Sequence, residues 1–152
     1  MGVIDTLNIS ASGLTAQRLR MDLIAQNIAN ASTTRGADGE PYRRRTLVFA
    51  ERTTSSFESI LFENQSNYSY APSFTGRGVR VTGIVEDHVN EMRKVYDPAH
   101  PDSDEDGYVT YPNVNPITEM TNLIDATRAY EANVTAMNAT KSMLLKTLEI
   151  GQ

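Results

Sequence analysis

Residues 115–151 read NPITEMTNLIDATRAYEANVTAMNATKSMLLKTLEIG, and this stretch decides the fold. Asn115 is a strong N-cap, because its side-chain oxygen can accept an orphan N–H of the first helical turn. Pro116 follows at the first helical position, where its missing N–H costs little. Gly151 stands where a glycine would end the helix. Between them, about 35 residues make roughly 50 Å of helix. Acidic Glu119 and Asp125 come early and Lys141 and Lys146 late, as the helix dipole prefers. Leu123, Tyr130, Met137 and Leu144 recur every seven residues. Met120, Thr127, Val134, Lys141 and Leu148 fill the interleaved positions, a coiled-coil-like seam that Ile117, Ile124 and Leu145 widen.

The other end of the chain repeats the theme less strongly. From about Val3 to Ala31, apolar residues fall at Val3, Ile4, Leu7, Ala11, Leu14, Met21, Ala25 and Ile28, a helical stripe. Ile9, Ala16 and Leu23 form a second set, turned away from the first. A helix with two apolar faces must touch partners on both sides, which a small monomer can hardly supply. Ser10, Ser12, Gly13 and Thr15 weaken its first half; Gly alone costs about 1 kcal/mol against Ala in a helix. This end is therefore expected to be largely disordered in a free subunit and to fold against neighbours. The plain alternative for both stripes is a helical hairpin closed within one chain. Asn27, Asn30, Asn133 and Asn138 sit in or beside the seams. Buried there, their amides would penalise slipped registers; solvent exposure is the other reading.

Between the helices the pattern becomes that of strands. Tyr42–Glu51 is rich in β-formers after the turn-like Gly36-Ala37-Asp38-Gly39-Glu40-Pro41. Val79–Asp87 alternates Val79, Val81 and Val85, and Lys94–Tyr96 and Tyr108–Tyr111 read as further strands. Ser55–Phe62 reads as a short helix and Glu63–Gly76 as a loop. The expected fold is α+β: long terminal helices packed as a stalk, with a small β-rich module between them. The segments are 1–33 for the first helix, 34–112 for the module and 113–152 for the last helix.

Composition excludes several functions. The net charge of −5 argues against a nucleic-acid footprint, and the short run Arg43-Arg44-Arg45 reads as a solvated strand face. There are no cysteines, so no disulfide, thiolate metal site or cysteine nucleophile. No apolar run suffices for membrane insertion, and no secretory signal opens the chain. Asp102-Ser103-Asp104-Glu105-Asp106-Gly107 matches the first half of a calcium loop, yet position twelve is Asn113 rather than Glu, and no helix precedes it. A solvated acidic turn is the better reading. His88 and His100 lack further nitrogen ligands, and no phosphate loop, nucleophile elbow or zinc motif is present. Neither catalytic residues, cofactors nor metals are expected.

Ser12-Gly13-Leu14-Thr15-Ala16-Gln17-Arg18-Leu19-Arg20-Met21-Asp22, continued by Ile24-Ala25-Gln26-Asn27-Ile28-Ala29-Asn30-Ala31, resembles the N-terminal signature of the bacterial flagellar rod and hook proteins. Gln26 departs from it, standing where Asn is commoner. Asn113-Val114-Asn115-Pro116 and Arg128-Ala129-Tyr130-Glu131-Ala132-Asn133 resemble the C-terminal signature. Met137–Met143, Lys146–Gly151 and Asp97-Pro98-Ala99-His100-Pro101-Asp102 are most similar to members of the proximal rod. The resemblance implies a structural subunit, stacked with copies of itself and other rod proteins around an export channel. It further implies torque transmission from rotor to hook. Such subunits leave the cell through the flagellar type III export apparatus without a cleaved signal, which would place this one in the periplasmic rod.

On this reading the assembly interface comprises Leu7, Leu14, Met21 and Ile28 in the first helix. Leu123, Tyr130, Val134, Met137, Leu144 and Leu148 supply it from the last, with Asn27, Asn30, Asn133 and Asn138 setting register. Each buried Leu- or Met-sized side chain contributes about 1.5–3 kcal/mol. The rival readings are a cytoplasmic coiled-coil interaction module and a calcium-binding protein built on Asp102–Gly107. Neither explains both terminal signatures.

Overall fold

The computed structural model describes residues 3–36, 38–52 and 77–150. In chain order, α1 spans Val3–Ala29, β1 Arg45–Glu51, β2 Val79–Glu86, β3 Arg93–Tyr96, β4 Tyr108–Tyr111 and α2 Pro116–Ile150. The fold is α+β, as the periodicities require. The short helix expected over Ser55–Phe62, the loop over Glu63–Gly76 and the closing Gly151 lie outside the described residues.

Local chemistry accounts for the element boundaries. The Asn115 side-chain oxygen accepts from the N–H of Ile117 at 3.0 Å, so α2 opens on the expected cap with Pro116 just inside it. β1 and β2 pair antiparallel from Arg45↔Glu86 to Glu51↔Val79, with a register irregularity between Val48 and Phe49. β3 and β4 form a second antiparallel pair closed through the acidic segment. There the Gly107 N–H donates to the Asp104 carbonyl at 2.8 Å, and Gly107 takes φ +79, which that turn demands.

The two helices run antiparallel. Gly13 faces Asn133, Met21 faces Thr127 and Asn27 faces Glu119, so numbers rising along α1 fall along α2. A Cβ on Gly13 would come within 3.0 Å of the Asn133 amide oxygen. Gly13 weakens the isolated helix because the hairpin needs a close approach at that turn. Continued outward, the same register carries the last turn of α2 beyond the start of α1.

The second face of α1 is covered by its own chain, which corrects the expectation that a small monomer leaves it bare. Ala16 and Leu23 are buried, and the β1–β2 ribbon lies over that face. α1 is one continuous helix from Val3 to Ala29. Contacts hold its weak half: Ser12 Oγ accepts from the Val79 N–H at 3.1 Å and donates to the Ile9 carbonyl at 2.7 Å.

Candidate assembly surface and the buried node beneath it

Among the described residues, few apolar side chains are buried: Ala16, Leu23, Ile24, Val109 and Ala126. Large apolar residues on α2 instead face solvent, among them Ile117 at 77% exposure, Ile124 at 53% and Leu148 at 68%. Met120, Met143, Leu145 and Ile150 are exposed with them. Among the described residues, so little apolar burial beside so much exposure on α2 leaves an unmatched apolar surface.

The expected interface residues fall into two groups. Leu7, Leu14, Met21 and Ile28 of α1 are half-buried, as are Leu123, Tyr130, Val134, Met137 and Leu144 of α2. Leu148 stands fully outside the intrachain contact. The deeper burial in α1 belongs to the second set, Ala16 and Leu23, together with Ile24.

The four asparagines separate as sharply. Asn138 is exposed and Asn30 half-buried, its amide nitrogen donating to the Gln26 carbonyl at 2.9 Å. Asn133 is half-buried and donates to the Ala129 carbonyl at 2.9 Å. Asn27 is only 1% exposed, and every valence of its amide is used. Its nitrogen donates to the Arg45 carbonyl at 2.9 Å and to Glu119 Oε2 at 3.0 Å. Its oxygen accepts from the Tyr42 hydroxyl at 2.8 Å and from the Arg45 N–H at 3.0 Å.

Glu119 completes this node and is also 1% exposed. Arg44 donates to its Oε1 from Nε at 2.9 Å and Nη2 at 2.7 Å, and Asn122 adds a longer bond at 3.3 Å. A carboxylate so removed from water persists only because charge and hydrogen bonds replace hydration. The reading of Arg43–Arg45 as a solvated face is corrected here. Arg44 reaches the buried Glu119, Arg45 pairs with Glu86 at 2.9 Å, and Arg43 lies 3.9 Å from Glu40. No sequence signal singled out Glu119, since an acid in a first helical turn ordinarily serves the dipole.

Asn113 stitches the start of α2 to the module. Its oxygen accepts from the Arg44 N–H at 2.8 Å, and its nitrogen donates to the carbonyls of Asp87 and Asn90 at 2.9 and 3.2 Å. Hydrogen bonds from the Asn90 side chain and backbone, then from the Val89 N–H, hold the Asp87 carboxyl below its ordinary pKa. In the acidic segment, Asp102 accepts from Thr34 Oγ1 at 2.8 Å and lies 3.7 Å from Arg35. The half-motif thereby fastens the β3–β4 pair to the segment after α1. Among the described residues, no three His, Asp or Glu side chains gather as metal ligands would. No described helix is long and apolar enough to cross a membrane.

Comparison with known proteins agrees with this architecture at both ends. A family model described as flagella basal body rod protein matches residues 7–37, and one described as flagellar basal body rod FlgEFG protein C-terminal matches 105–150. The flagellar basal-body rod protein FlgC of Bacillus subtilis is 50% identical, with all of both chains covered. The chain belongs to the FlgC family of flagellar basal-body rod proteins. The FlgC protein of Borreliella burgdorferi is 46% identical over the whole of this chain and 99% of its own. That of Salmonella typhimurium is 37% identical over the full length of both. As a FlgC-family member the chain is a structural subunit of the flagellar rod and not an enzyme. The two family-model matches take in the two helices of one antiparallel hairpin, and the C-terminal match also takes in β4.

Proposed function

We propose that this subunit polymerises through the apolar faces of α1 and α2, with copies of itself and other rod proteins, to form a torque-transmitting inner shaft around an export channel. Segments 1–33 and 113–152 form the shaft, and segment 34–112 lies outside it. The subunit reaches the periplasmic rod through the flagellar type III export apparatus without losing a signal peptide.

The observation that carries this reading is the exposed large apolar side chains near both ends of α2, Ile117, Met120 and Ile124 at one and Met143, Leu145, Leu148 and Ile150 at the other, with few apolar side chains buried among the described residues. Covering one such side chain stabilises a contact by about 1.5–3 kcal/mol. Stacking along a helix sums many of these in parallel, which stiffness under torque requires.

The test places a charge in the seam. Leu14→Glu and Met137→Glu are expected to be exported and yet to build no rod when basal bodies are viewed by electron microscopy. Leu148→Glu, outside the intrachain contact, is expected to do the same without disturbing the fold. Normal motility on intact rods in all three would overturn the proposal.

A further inference from the structure

We propose that the Asn27–Glu119 node and the Ser12 hydroxyl are two pins clamping the β1–β2 ribbon along α1, so that each subunit holds its module at one fixed angle to the helix hairpin. The significance of that angle rests on the reading of the helices as the inner shaft. The clamp itself does not.

The geometry points to two pins because the lengths agree. Ser12 and Asn27 are separated along α1 by roughly 22 Å at 1.5 Å per residue. The ribbon from Arg45 to Glu51 covers about 20 Å at strand rise. One pin therefore engages each end: Arg45 at Asn27, and Val79, the partner of Glu51, at Ser12. At the Ser12 end the approach is so close that Gly78, at φ +100, has no room for a side chain.

Apolar packing of the ribbon over Ala16 and Leu23 is interrupted by open space. An open cleft of about 300 Å³ lies between α1 and the start of β2. Another of about 310 Å³ lies between α1, β1 and the first turn of α2. Non-directional contact beside such open space lets a ribbon roll, whereas directional bonds at two separated points do not. Among the described elements no strand packs on α2, and the Arg44–Glu119 pair ties the first turn of α2 to the module. A single pin would act as a swivel.

The chain has no cysteine, so paired spin labels can be placed in the full-length protein without background. Val89→Cys with Asp125→Cys reports the node end, and Glu51→Cys with Thr135→Cys the Ser12 end; all four positions are exposed. Electron–electron distance measurements on the isolated chain are expected to show Glu119→Gln broadening the first distribution alone. Ser12→Ala is expected to broaden the second alone. A first distribution that stays narrow in Glu119→Gln, a second that stays narrow in Ser12→Ala, or broadening of both distributions in either variant would overturn the two-pin clamp. Asn27→Asp is the stronger variant at the node. If it unfolds the chain by circular dichroism while Glu119→Gln leaves the first distance narrow, the node is a stability element only and the proposal falls. Because this is read on free subunits, its outcome is separate from whether Leu148→Glu blocks rod assembly.

Discussion

Asn27 binds both backbone polar groups of Arg45, donating to its carbonyl at 2.9 Å and accepting from its N–H at 3.0 Å. A side-chain amide on a helix thus pairs with the edge of β1 as a neighbouring strand would. The pair leaves neither group unsatisfied at the point where the chain turns from stalk to module.

Asn27→Asp keeps the acceptor and loses both donors, while setting a carboxylate against Glu119. A buried charge without its partners costs about 3–5 kcal/mol, so the urea midpoint of the isolated chain is expected to fall steeply. Asn27→Ala introduces no charge and is expected to fall less.

Gly78→Ala is expected to destabilise by about 1–3 kcal/mol, because Gly78 sits at φ +100 and an added Cβ would strike Ser12 Oγ. Gly83→Ala, in an ordinary backbone conformation with open space around it, supplies the control. Equal midpoints for the two variants in urea denaturation would contradict the assigned contact.

Tyr42 gives the node a pH dependence. Burial raises its pKa above the ordinary 10.0; the Arg45 guanidinium opposes this, and the Glu86 and Glu119 carboxylates add to it. The unfolded phenol therefore ionises first. Stability is complete below the unfolded value and is lost as pH rises through the higher folded one. Tyr42→Phe is expected to flatten the alkaline limb while losing a neutral hydrogen bond of about 1 kcal/mol. Denaturation midpoints measured from about pH 8 to pH 11 check both effects.

Ile124→Glu tests the exposed apolar cluster at the start of α2 at a position that is 53% exposed. Its effect on the isolated chain is expected to stay within about 0.5 kcal/mol, as for other surface substitutions. Rod assembly, scored on isolated basal bodies, is expected to fail. Ala126→Glu, at a fully buried position on the opposite side of α2, is expected to damage the fold itself.

The sequence alone determined what depends on near neighbours. Both helices, the Asn115 cap with Pro116 behind it, and the four strands follow from periodicity and turn chemistry within a few residues. The family signature lay in the same two helices. Tertiary structure decided whatever depends on partners far along the chain. Ser12 and Gly13 read locally as helix weakeners, yet one holds β2 and the other admits α2. Arg44 and Glu119 read as a solvated base and a dipole-favouring acid until the fold brings them together across 75 positions. Residue type fixes a side chain's local preference, but only the packed chain determines which charges lose their water, and desolvation is what turns an ordinary ion pair into a joint.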